Sequence, residues 1–569
     1  MTQTTRTCDL LVIGTGGAAF TAALAARDQG LDVLMAEKAP VFGGTTATSG
    51  GGLWVPGTHH SKSIEAQAGE TDDRARAQRY LEIESGQHLD PAKIDAFLDD
   101  GPRMIDFLEG KTHVQFMAMP FPDYHSEQEG ASSVRSLFTL PYDLRNLGPL
   151  ADKLKRELPQ TSFMGMTMRS GAEVKMFYSA TRSWTAFKHV AKRMTGHAVQ
   201  MLRYGQSQQL TTGRALIARL AQSAHEAGVE ILLSSPATAL IREGDVVTGA
   251  MLDTPDGPVR VKAKAVILAA GGYARDANRR AAEHPKPVND QPVVTPLPMS
   301  NTGDGATMAE AVDARFQSNA ANASAWMPVS KLPDVDDFTG VWPHLVDRYK
   351  PGFIMVLPDG RRFANESASY HDLGREMIAA METRGADHAW IIGDARAVRQ
   401  WGIGHVKPWP MPMGRLVQSG YVLMAKSLDA LADKAGIDAP TLVAEVETFN
   451  AYARNGEDPV YHRGRAPYDR YHGDATQTPN PNLRPLGKGP FYAVRVYAGE
   501  IGNFKGIATD ENAQVLDTSD RPIPGLYAVG NDMSNAFGGA YPGGGGTLGP
   551  GMTFAYRAAL HAAGQRKAG

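Results

Sequence analysis

The feature that most constrains this chain is an apolar run that ends abruptly on glycine: Leu10-Leu11-Val12-Ile13 leads straight into Gly14-Thr15-Gly16-Gly17-Ala18-Ala19. Continuous apolar residues without alternation predict a central parallel strand buried on both faces. Ala18 to Arg27 is Ala-rich and predicts a helix; Gly30 stops it, and Leu31 to Met35 predicts a second strand. Strand, glycine turn, helix and strand together make a dinucleotide-binding unit. Gly14 permits the tight turn, Gly16 lets backbone N–H groups approach a pyrophosphate at the helix start, and the small residues from Gly17 onward, with alanine in the third position, let helix and strand pack closely. Glu37, at the end of the second strand, is placed to accept hydrogen bonds from ribose hydroxyls.

At 569 residues the chain is too long for one compact core, so two or more domains are expected. Further strand-rich runs lie far downstream: Val229 to Leu233 and Ala265 to Leu268 flank a hairpin region, the second ending at Ala269-Ala270-Gly271-Gly272, and Gly525 to Gly530 lies near the end. Sheet pieces so widely separated predict an α/β fold. In it a Rossmann-like nucleotide-binding domain (residues 1–324 and 503–569) is interrupted by an α+β substrate domain (325–502). No internal repeat or low-complexity linker is visible.

The net charge of -3 offers no basic excess for nucleic acid. A single cysteine, Cys8, excludes an intramolecular disulfide, a Cys-rich zinc site and an iron–sulfur cluster, and no metal site is expected. The leader Met1–Thr7 is polar and no apolar stretch approaches about 20 residues, so neither a signal peptide nor a transmembrane helix is expected, and the chain reads as cytoplasmic.

A second loop rich in glycine and hydroxyls follows Glu37: Gly43-Gly44-Thr45-Thr46-Ala47-Thr48-Ser49-Gly50-Gly51-Gly52. Such a loop hydrogen-bonds a flavin and lets its ring approach the backbone, which favours FAD over NAD. With Leu53-Trp54-Val55-Pro56-Gly57, Asn301-Thr302-Gly303-Asp304-Gly305 and Gly525-Leu526-Tyr527-Ala528-Val529-Gly530-Asn531, the chain resembles the fumarate reductase/3-ketosteroid dehydrogenase flavoproteins over nearly its whole length. The resemblance implies a glutathione-reductase type FAD domain. It extends the cofactor set to Lys38, Ala237, Ala270, Gly271, Asp304, Gly530, Asn531 and Leu548 beside Gly14, Gly16, Gly17, Ala18, Glu37, Gly43, Gly44, Thr45, Thr46, Ser49, Gly50, Gly51 and Gly52. No histidine or cysteine lies in the Gly43–Gly52 loop, so FAD is expected to be non-covalent. No second dinucleotide fingerprint follows a strand, so the expected electron acceptor is diffusible or a quinone.

Fumarate reductases resemble this chain around Arg362-Phe363-Ala364-Asn365-Glu366 but carry a catalytic arginine four residues after the glutamate, where Tyr370 stands here. Their carboxylate-gripping histidine is also absent from Gly502-Asn503-Phe504-Lys505-Gly506. Both departures fit the 3-ketosteroid Δ1-dehydrogenase branch, whose motifs are matched by Asn365-Glu366-Ser367-Ala368-Ser369-Tyr370, Phe121-Pro122-Asp123-Tyr124 and Tyr541-Pro542-Gly543-Gly544-Gly545. The resemblance implies that Tyr370 removes a proton beside a ketone, that Tyr124 supports its phenolate, and that Tyr541 O–H and Gly545 N–H hold the ketone oxygen. Gly544 departs from the proline usual in that branch.

The tyrosine set recognises a ketone and its neighbouring carbon, not a ring count. A monocyclic ketone such as cyclohexanone or 4-oxocyclohexanecarboxylate therefore stays open beside a 3-ketosteroid. An alkene reductase is disfavoured by the missing carboxylate grip, and a non-catalytic electron-transfer flavoprotein would not need the tyrosines. The stretch between Leu158 and Thr212, with Trp184, Lys188, Arg193, His197, Arg203 and Tyr204, reads as a solvated helical hairpin.

Overall fold

The computed structural model describes residues 4–163, 165–166, 172–181 and 183–564. The predicted opening unit is present as β1 (Thr4–Ile13), α1 (Gly17–Asp28) and β2 (Val33–Ala36), the second strand beginning two residues later than expected. Leu10 to Ile13 are buried, and β1 has parallel partners on both sides, which is why the run shows no polar alternation. Helix α2 (Thr212–Glu226) leads to β3 (Glu230–Leu232), which pairs parallel to β2. The expected hairpin region is an antiparallel meander of β4 (Ala237–Glu243), β5 (Val246–Thr254) and β6 (Gly257–Leu268), and β6 returns parallel to β1.

The chain then builds a second sheet from β7 (Ser324–Lys331), β8 (Val341–Pro343), β9 (Phe353–Val356), β10 (Ala389–Asp394), β11 (Val422–Ala425) and the long β12 (Phe491–Asn503). Every pairing in it is antiparallel. The first half of β12 pairs with β10 and β11 and its second half with β7. Alternation along β9 sends Phe353 and Met355 into one core and Ile354 and Val356 into another, so both faces of this sheet are covered. Helix α3 (Tyr370–Arg384) lies directly on β7, because a Cβ at Gly374 would stand 2.6 Å from that of Trp326.

After this sheet, β13 (Gln514–Leu516) and β14 (Pro522–Ala528) return to the first, giving the strand order β13-β14-β6-β1-β2-β3. Helix α4 (Leu548–Ala562) then packs on α1.

Within 158–212 the helices Ala172–Ser179 and Trp184–Tyr204 pack on each other. The second is exposed along most of its length, with only Ala186 and His197 buried. Among the described residues no helix is long and apolar enough to cross a membrane.

Candidate active site

Residues from both sheets line a single cavity of about 540 Å³. One end is a cradle from which side chains are excluded. Gly14 sits at φ +114°, and a Cβ there would stand 2.1 Å from the Ala269 carbonyl oxygen; its N–H donates to Ala36 O at 2.7 Å. Gly16 caps α1 with no side chain of its own, leaving the helix start beyond the Gly17 N–H open to an anion. The Gly17 N–H donates to Thr46 Oγ1 at 3.1 Å, which brings the second glycine loop over the first. Glu37 is buried at the end of β2 and accepts from Thr15 Oγ1 and, at 2.9 Å, from the Ala39 N–H.

Of the residues assigned to the cofactor from sequence, Gly14, Gly16, Gly17, Ala18, Glu37, Lys38, Gly44, Thr45, Thr46, Ser49, Gly50, Gly51, Gly52, Ala237, Ala270, Gly271, Asp304, Gly530, Asn531 and Leu548 line the cavity. Gly43 does not. Its N–H donates to Thr15 Oγ1 at 3.1 Å and a Cβ there would press on Ala47 at 2.8 Å, so it shapes the loop from behind. Lys38 and Asp304 form an ion pair of 2.7 Å across the rim.

Two braces escaped sequence reading. Asn301 Nδ2 donates to Thr45 Oγ1 at 3.2 Å and to Gly271 O at 3.0 Å. Asp532, pushed up to about 6 by burial, accepts from the N–H groups of Ala270 and Gly272. Asn301 heads one of the motifs that carry the resemblance but had no role assigned to it, and Asp532 follows Asn531 with nothing that distinguishes it from a surface polar residue. The bare backbone, the open helix start and the buried carboxylate are what the pyrophosphate and ribose of FAD require, and these residues fit that group.

The other end of the cavity brings the three tyrosines and Gly545 together. Tyr370 is the first residue of α3, after a Ser369 cap whose Oγ accepts from the Asp372 N–H at 3.1 Å. The loop before it is anchored by Glu366, which takes two 2.7 Å bonds from Arg362, pairs with Arg463 and accepts the Met355 N–H. Tyr124 is carried by a clamped loop, not a loose turn. Its N–H donates to Pro542 O at 3.0 Å, while the neighbouring Asp123 accepts from Trp54 Nε1 at 2.7 Å and pairs with Arg135 at 2.8 Å.

Gly545 lies at φ +105°. Its carbonyl accepts the Trp54 N–H at 3.1 Å, a Cβ would meet the backbone of Gly52 and Leu53 at 2.6 Å, and its own N–H has no acceptor in range among the described residues. The Tyr370 hydroxyl donates to Tyr541 Oη at 2.8 Å, and the ring centroids of Tyr124 lie 5.4 Å from those of both other tyrosines. Burial pushes the Tyr370 phenol well above its usual range, the Tyr541 hydroxyl adds to this, and hydrogen bonding from Tyr124 opposes it. His371 is held neutral, driven down to about 4 by burial, and its Nδ1 accepts the Trp326 N–H at 3.2 Å.

Sequence reading also missed Tyr349, Tyr468 and His472 in this wall. Tyr349 and Tyr468 join hydroxyls at 2.9 Å, and Tyr468 packs edge-on to Tyr124. They lie outside every recognisable motif, and a tyrosine alone carries no signal that separates a wall from a core position. Away from the cavity, His59, His60 and Glu109 bring three possible metal ligands within 4.8 Å of one another, although no metal site was expected; there each imidazole contacts Glu109.

The sequence matches the family described as FAD binding domain over residues 9–548. It is 38% identical to the 4-oxocyclohex-2-ene-1-carboxylate 5-dehydrogenase of Sinomonas cyclohexanicum, covering 97% of this chain and 93% of that one. It is 34% identical to the 3-oxosteroid 1-dehydrogenase of Mycolicibacterium smegmatis, covering 97% and 96%. The crystal structure of 3-ketosteroid delta1-dehydrogenase from Sterolibacterium denitrificans in complex with 1,4-androstadiene-3,17-dione superposes with a TM-score of 0.91 at 32% identity, over 99% of this chain and 100% of that one. The chain therefore belongs to the FAD-binding-domain family, in its 3-ketosteroid Δ1-dehydrogenase-like branch, and is an FAD-dependent oxidoreductase acting on CH–CH donors.

Proposed function

We propose that this protein desaturates a cyclic ketone, a 3-ketosteroid, between the carbon beside the carbonyl and the next ring carbon. The observation that carries the reading is the 2.8 Å contact between Tyr370 and Tyr541. The carbon that loses a proton is bonded to the carbonyl carbon, so the base and the group that holds the ketone oxygen must be neighbours. Tyr541 O–H and the Gly545 N–H would hold that oxygen, stabilising enolate charge as it forms. Tyr370 Oη would take the proton, with the Tyr124 hydroxyl supporting the phenolate. FAD held in the glycine cradle would supply the redox chemistry, as the acceptor for a hydride from the second carbon.

The glycine cradle and Glu37 would hold FAD non-covalently. We assign residues 1–324 and 503–569 to a Rossmann-like FAD domain of the glutathione-reductase type, and 325–502 to the substrate domain. Electrons would leave to a diffusible acceptor or a quinone.

The steroid reading is supported by the apolar substrate end, where Phe121, Phe138, Met327, Leu345 and Ile501 line the wall and, among the described residues, no arginine or lysine joins them. A ring carboxylate would call for such a cation. A second reading, a monocyclic oxo-carboxylate, is favoured by the 38% identity to the Sinomonas enzyme and by His472 in the same wall. The mechanism is tested with Tyr370→Phe holoenzyme. Turnover of 4-androstene-3,17-dione should nearly vanish while flavin stays bound; undiminished turnover removes Tyr370 as the base.

A further inference from the structure

The helix His59–Ala68 opens on two histidines that face the helix Pro91–Lys111, and none of His59, His60, Asp106 and Glu109 lines the cavity. Thr58 fixes the start of the first helix, its Oγ1 accepting the Ser61 N–H at 3.1 Å, so the imidazoles leave the backbone at the first two helical positions. Asp106 and Glu109 stand three apart on the second helix and therefore share a face.

The His59 ring meets a carboxylate at each of its nitrogens: Nδ1 lies 3.1 Å from Asp106 Oδ1 and Nε2 lies 3.2 Å from Glu109 Oε2. His60 Nε2 lies 2.9 Å from the same Oε2 and 3.0 Å from Oε1. Glu109 is held in place, since its Oε1 also accepts the Phe116 N–H at 2.8 Å. The His60 and Glu109 side chains are 17% and 20% exposed and His59 is 56% exposed, so two of the three groups are packed while the third faces solvent.

A neutral imidazole has one N–H, so His59 cannot satisfy both carboxylates as a donor. A cation must lie on one side of its ring. A second proton on His59 would balance only one of the two carboxylate charges, and among the described residues neither carboxylate pairs with a lysine or an arginine. One divalent ion balances both. Tetrahedral zinc, with bonds of about 2.0–2.1 Å, sets its ligand atoms about 3.3 Å apart. The 3.2 and 2.9 Å contacts at Glu109 Oε2 lie near that spacing. Asp106 then stands as the outer carboxylate, accepting the Nδ1 proton of His59 and leaving Nε2 as the ligand.

We propose that His59, His60 and Glu109 bind one divalent transition-metal ion of the zinc class, oriented through Asp106, with water completing the coordination on the exposed side. Two imidazole nitrogens suit zinc, nickel or copper, whereas magnesium and calcium take oxygen ligands. The role is structural. The ion joins the two helices directly after the Trp54–Gly57 segment, whose Trp54 N–H holds the Gly545 carbonyl and whose Gly57 rests on Pro102 of the second helix. It stiffens the support of the Gly545 loop without touching substrate, and it stands whichever ketone is the substrate.

The test titrates untagged, flavin-loaded protein, first stripped of metal with a chelator, with zinc chloride alone. One zinc per chain should bind saturably in the presence of excess magnesium, and the thermal midpoint should rise with zinc concentration. His60→Ala should abolish this binding. Asp106→Asn should weaken it by about 10–100-fold, the effect of losing an outer partner of a metal ligand. His388→Gln, which removes another histidine paired with a carboxylate, should leave it unchanged. His59→Gln, on the exposed side, should also abolish binding, and it decides the matter if His60→Ala fails to retain flavin. The absence of saturable zinc binding overturns the inference, as does displacement of zinc by magnesium. So does binding that survives in both histidine variants, since the ion then sits elsewhere.

Discussion

The hydroxyl of Tyr370 donates to that of Tyr541 across 2.8 Å, joining the head of α3 to a glycine loop 171 positions further along the chain. Both are held by elements whose geometry is fixed elsewhere: Tyr370 by the Ser369 cap and the Glu366 anchor, Tyr541 by the loop that Tyr80 and Tyr124 bind through Pro542. A base and an oxygen holder placed side by side suit removal of a proton next to a carbonyl.

Replacing Tyr541 by phenylalanine should lower kcat by about 10²–10³, the usual effect of removing one aimed donor from a developing oxyanion. Flavin content should not change, because Tyr541 stands at the substrate end. Single-turnover flavin reduction, compared with the absorbance of bound flavin, measures both.

Gly545→Ala should damage more than catalysis. At φ +105° a side chain is strained, and the new Cβ would sit 2.6 Å from the backbone of Gly52 and Leu53. The strain alone is about 1–3 kcal/mol. A lower thermal midpoint together with reduced flavin retention is expected, and both are read from one melting experiment that follows flavin release.

Gly14→Ala should yield protein without flavin. The Cβ would lie 2.1 Å from Ala269 O, forcing the turn after β1 away from the loop after β6. The ratio of flavin to protein absorbance after purification reports this directly.

Stability should depend on pH through the His125–Asp372 pair, 3.2 Å apart beside Tyr124 and Tyr370. Burial alone would lower His125, but Asp372 and Glu84 prevail and push it up to about 11. Its folded pKa is raised, so its contribution is complete below about 6.5 and declines as pH rises toward 11. Asp372 is held low, against the effect of burial, chiefly by His125, so its contribution is present above its unfolded value near 3.8 and is lost in acid. The wild-type thermal midpoint should therefore fall between pH 7 and pH 10, and His125→Gln should flatten that slope.

Much of the cofactor end was legible in sequence because each part is local. The apolar run, the glycines and Glu37 lie within 28 residues, and each has one physical reason to be where it is. Gly43 shows the limit of such reading: it belongs to the glycine loop by composition yet faces away from the cavity, since one residue's rotation in a turn decides which side is lined. The braces at Asn301 and Asp532 were not legible, because each joins backbone segments that only the folded sheet brings together. Tyr349 and Tyr468 were missed for the same reason: their hydroxyls meet at 2.9 Å from positions 119 residues apart, and no spacing in sequence encodes that contact.

The central claim, dehydrogenation of a ring ketone, is tested most directly by mixing the oxidised holoenzyme anaerobically with 4-androstene-3,17-dione and, separately, with 4-oxocyclohexanecarboxylate while following flavin absorbance. The account predicts bleaching by the steroid with appearance of the 1,4-diene-3-one. Bleaching by the monocyclic acid alone would keep the tyrosine chemistry and move the substrate to a single ring. Flavin that stays oxidised with both would contradict the account.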